Sequence, residues 1–136
     1  MIKTDAQRDR TQIQIDGFRQ ALAKAQQGSS GKRVNAIRGS YEGMIQQLED
    51  ELREYDRLKS GEFAMPNIER LDQIAPFIVK LRIAKHLSQS DLARRLGVSK
   101  QVVSRHEEDG YQSVSIPRLQ EILDALEVRA TISLSA

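Results

Sequence analysis

The chain has 136 residues, 39% of them hydrophobic and 29% charged, with a formal net charge of +2; this suits one compact domain or two small helical units with a thin core. No Cys is present, which excludes a disulfide framework and thiolate metal sites and fits a reducing compartment. No apolar run approaches the roughly 20 residues of a membrane span, and the start "MIKTDAQRDR" lacks the apolar core of a signal peptide, so a soluble cytoplasmic protein without membrane contact is expected.

From about Asp5 to Gln27, Ile15, Phe18, Leu22 and Ala25 recur every three or four residues, which predicts an amphipathic helix. "GSSGK", Gly28 to Lys32, ends it. A longer helix is expected from about Arg33 to Lys59, with a stripe of Val34, Ile37, Tyr41, Met44, Ile45, Leu48, Leu52, Tyr55 and Leu58 that is almost a heptad seam. The short loop between them predicts an αα-hairpin over residues 1–60, stopped by Ser60-Gly61. Its stripe serves either as the core of two helices or as a dimer seam. Two helices alone bury little apolar surface, which favours the seam.

The second unit, 61–136, opens with Asn67 as a helix cap and Pro76 in a first turn. Ile78, Leu81 and Ile83 form an apolar face. Ser88 and Asp91 have capping-box spacing at the start of a helix to Leu96, and Gly97 supplies a left-handed exit. Ser99 is placed to cap the next helix, Lys100 to about Glu108, and Asp109-Gly110 turns the chain. A last helix is expected from about Ile116 to Leu126, with Leu119, Ile122, Leu123 and Leu126 on one side. In the tail, Val128, Ala130, Ile132 and Leu134 alternate with polar residues, which predicts a short C-terminal β-strand. A lone strand needs a partner, and the same strand of a second copy is the candidate.

Charge is segregated in this unit. Residues 77–106 carry seven bases (Lys80, Arg82, Lys85, Arg94, Arg95, Lys100, Arg105) against Asp91, a balance of +6, whereas residues 107–127 carry six acids against Arg118, a balance of −5. A basic block of this kind is often only a solvated face, but joined to the caps and the turn it suits a polyanion. On the helix from Lys100, Val102 and Val103 point inward, leaving Lys100, Gln101, Ser104 and Arg105 outward, with Ser99 at its start. Arg and Lys suit the guanine edge in the major groove, Gln suits adenine, and Ser is permissive. Arg94, Arg95 and Lys85 are available to phosphates.

The stretch "LRIAKHLSQSDLARRLGVSKQVVSRHEEDG", Leu81 to Gly110, resembles the helix-turn-helix of the Xre and phage-repressor family. Ala93 stands where the helices cross closely, Gly97 at the turn, and Leu92, Leu96, Val98 and Val103 at apolar contacts. His106 departs from the pattern, in a slot more often apolar or aromatic. The resemblance implies a mainly α fold with a lambda-repressor-like bundle after the hairpin. It also implies phosphate or base contact by Gln89, and a structural ion pair between Arg82 and Glu107.

An enzyme is the rival class. His86 and His106 are the only histidines and the carboxylates Glu107, Glu108 and Asp109 point to different faces, so neither metal ligands nor a nucleophile with its base converge. No catalytic residue, metal or cofactor is expected. The expected function is sequence-specific recognition of double-stranded DNA by a transcriptional regulator, as a homodimer. A repressor, an antitoxin controlling its own operon beside a toxin partner, and an adaptor recruiting another protein all fit.

Overall fold

The computed structural model describes residues 1–28 and 31–136. Within the predicted "GSSGK" turn, Ser29 and Ser30 lie outside the described residues. Two units are distinguished, Met1–Arg57 and Leu58–Ala136.

The first unit contains α1 (Asp5–Gly28) and most of α2 (Lys32–Lys59). Their apolar stripes meet within one chain: Ile15, Ile45 and Tyr55 are buried, and the rings of Phe18 and Tyr41 lie 5.9 Å apart. Polar pairs set the antiparallel register, with Arg8 Nε donating to Asp56 at 2.7 Å, Tyr55 OH to Asp5 at 2.5 Å, and Arg19 to Glu49. Much of the expected seam is thus used inside the hairpin, while Ile37 and Met44 stay exposed.

The second unit begins with extended chain. Its first short turn, Leu71–Gln73, is capped at Arg70 rather than at Asn67, because Gln73 Oε1 accepts from the amides of Glu69 and Arg70 at 2.9 and 3.1 Å. Pro76 does lie in the first turn of the 3-10 segment Ala75–Phe77, which leads into α3 (Ile78–Ala84). Then follow α4 (Gln89–Leu96), α5 (Lys100–Glu108) and α6 (Ile116–Ala125). α4 packs against both α5 and α6. The core joins Ile78, Ile83, Leu92, Ala93, Val103 and Ile122, which places α5 on a fixed bed rather than on a loop.

The expected C-terminal β-strand is not formed: among the described residues there is no strand, and residues 128–136 run extended. The alternation was real, but a strand is a ladder between two segments, and no second segment of this chain pairs with the tail. Among the described residues no helix is long and apolar enough to cross a membrane.

Gly97 is the turn's conformational requirement. It sits at φ 69°, ψ 30°, and the Val98 amide donates to the Ala93 carbonyl at 3.0 Å. An added Cβ would meet nothing within 4 Å, so a side chain there faces backbone strain alone. Gly97→Ala is expected to lower stability by about 1–2 kcal/mol, read as a shifted denaturation midpoint. An unshifted midpoint would mean that the turn relaxes freely.

Candidate nucleic-acid interface

The interface is built outward from the start of α4. Ser88 is extended, its hydroxyl accepts from the Asp91 amide at 3.0 Å, and the Asp91 carboxylate accepts from the Ser88 amide at 2.9 Å. This reciprocal box fixes the first turn. The Ser88 amide, and next its hydroxyl, hold the Asp91 carboxyl below the usual carboxylate range.

After Gly97, Ser99 has the extended N-cap backbone but its side chain makes no capping bond. The expected cap is therefore geometric only, and the exposed hydroxyl stays at the tip of α5. Lys100, Gln101 and Arg105 are exposed, Ser104 and Val102 half-buried, and Val103 buried. The predicted outward face is thus together on one helix, with Ser104 the most recessed of its members.

The remaining cations divide. Arg94 is exposed, its nearest carboxylate being Asp91 at 3.5 Å, and Lys85 is also exposed. Arg95 instead donates from Nη1 to the Ala125 carbonyl at 2.7 Å. It satisfies a carbonyl at the end of α6, a place where a cation also suits the helix dipole.

Behind α5 lies a buried polar cluster. Arg82 and Glu107, each 2% exposed, form a bidentate pair: Nε to Oε2 and Nη2 to Oε1, both 2.7 Å. Arg82 Nη1 also donates to the Leu87 carbonyl at 2.8 Å. Gln89 is 6% exposed and donates from Nε2 to Glu107 Oε1 at 3.0 Å, so its side chain points into the cluster and not toward solvent. Its amide is one of the first in α4.

Tyr111 completes the cluster and has no counterpart among the sequence expectations. Its hydroxyl donates to Glu107 Oε2 at 3.1 Å, and burial first, then the Glu107 charge, raise its ionisation well above the ordinary phenol range. Two successive left-handed residues, Gly110 at φ 63° and Tyr111 at φ 59°, return the ring toward the helix it follows. His106 is half-buried, its ring 5.9 Å from that of Tyr111 at 27°, which explains how a polar ring fills an aromatic slot. Four segments, α3, the start of α4, α5 and the following turn, thereby meet on one carboxylate.

The arrangement presents a nine-residue helix with a cationic and amide-bearing outer face on a rigid support. Such a helix fits the major groove of B-DNA. Residues 78–132 match the helix-turn-helix family model, from α3 into the tail, and this match supports a DNA-binding transcriptional regulator. No curated protein and no solved structure matches the chain.

Proposed function

We propose that the protein is a non-catalytic, sequence-specific regulator of transcription that places α5 in the major groove and acts as a two-fold homodimer, most simply as a repressor. The observation that carries this is the exposed set Lys100, Gln101 and Arg105 on a helix whose back is fixed through Val103 and Glu107. Lys100 and Arg105 suit guanine, Gln101 suits adenine, and Arg94 with Lys85 supplies attraction to phosphate. Gln89 contributes through its backbone amide at the positive end of α4 while its side chain holds Glu107. The separate hairpin unit favours one addition: the regulator also engages a protein partner, as an antitoxin or an adaptor does.

Gln101→Ala and Arg105→Ala are each expected to weaken operator binding by about 1–3 kcal/mol and to relax preference at different base positions. Arg94→Ala should weaken all sequences alike. Binding to a base-scanned operator decides it. Unchanged selectivity in both α5 variants would remove the proposed recognition face.

A further inference from the structure

The second unit contains a cleft of about 570 Å³ on the side of α3 and α6. Its floor is Ile74, Phe77, Leu81 and Leu123, and its walls are the segments 65–71 and 127–134. Met65, Leu71, Ile132 and Leu134 line it although each is exposed, Leu71 by 51% and Leu134 by 92%. The volume falls in the range of a binding pocket for a drug-sized molecule or a short peptide.

The walls decide between those ligands. Among the described residues, no backbone N–H or C=O from Ala64 to Ile68, or from Arg129 to Ala136, makes a hydrogen bond within the chain. An apolar small molecule would cover the floor and leave both rows of backbone groups without partners, which is unfavourable once water is displaced. An extended peptide answers both needs, because its backbone offers donors and acceptors at strand spacing while alternate side chains enter the cleft.

The chain has no such segment left to give. Its two extended stretches already form the walls, so the tail of a second copy could enter only by abandoning its own cleft. The other described residues are helical or in turns, apart from the first three, of which Ile2 is buried. We infer that the cleft receives an extended segment of another protein, roughly five residues long with apolar side chains at alternate positions, paired to the backbone of the tail.

No residue of α4 or α5 lines the cleft, so the peptide and DNA occupy different surfaces. The inference therefore stands or falls separately from the DNA-binding proposal.

The test uses the full-length chain and a capped peptide of alternating valine and threonine, with its N-methylated analogue and an anilinonaphthalene sulfonate dye as controls. The peptide should move amide resonances within residues 64–71 and 128–134. N-methylation, which removes backbone donors, should weaken binding at least about tenfold, and Leu71→Asp or Leu134→Asp should do the same, a change of about 1.4 kcal/mol. Both side chains are exposed, so these variants should melt as the parent does and bind DNA equally well. Equal binding of the N-methylated peptide, binding of the dye alone, or resonance shifts confined to other segments would overturn the inference. Self-association of the chain that Leu71→Asp abolishes would also overturn it, by making a second copy the occupant.

Discussion

Glu107→Ala is expected to destabilise the second unit by about 3–5 kcal/mol, the largest loss anticipated for a single polar substitution here. The carboxylate accepts from Arg82, Gln89 and Tyr111 at 2.7 to 3.1 Å and is 2% exposed. Its removal leaves the Arg82 guanidinium buried without a counter-charge and strips acceptors from an amide and a phenol. Desolvation of the orphaned charge, not the attraction of the pair, makes the loss large. Replacing both members, Arg82→Met with Glu107→Leu, should therefore be much milder than Glu107→Ala alone. Tyr111→Phe removes one hydrogen bond from the cluster and should cost about 1–3 kcal/mol. Denaturant unfolding of the single and double variants measures each step. Additive losses for Arg82 and Glu107 would show that the two side chains do not act as one unit.

That cluster also shows where sequence stops being informative. The cap at Ser88 with Asp91 and the left-handed Gly97 were legible because each is satisfied within a few residues of chain. The face of α5 was legible because helix periodicity fixes which side meets the core, and Val103 is buried while Gln101 and Arg105 are not. Gln89 is different. A polar residue in a first turn reads equally well as exposed or as inward, and only the buried Glu107, 18 positions away, turns it inward. The resemblance pointed to its place in the chain but not to the state of its side chain. Tyr111 was hidden for a related reason: an aromatic residue after Asp109-Gly110 reads as loop until its own positive φ is known. That rare conformation in a non-glycine residue is the signal worth seeking. The tail illustrates the opposite limit, since alternation reports which side chains share a face and says nothing about a pairing partner.

Moving one half of the operator by about five base pairs, half a helical turn, is expected to reduce affinity for the full site roughly a thousandfold, to the level of an isolated half-site. α5 has nine residues, so it spans about 13 Å and touches only a few base pairs. So short a contact gives too little discrimination against competing genomic sequence, whereas two copies whose helices lie about 34 Å apart read two half-sites about 10 base pairs apart on one face of the duplex. A half-turn insertion rotates the second half-site to the far face, where a dimer loses its second set of base contacts without any change in sequence. An insertion of about ten base pairs restores the face but stretches the span, so recovery should be partial if the two copies are rigidly joined. Binding of the intact protein to these spaced operators, at one fixed salt concentration because phosphate contacts dominate affinity, separates the cases. Equal affinity for a single half-site and for every spacing would mean that one copy suffices, and the two-fold arrangement would have to be abandoned while the recognition face on α5 could stand.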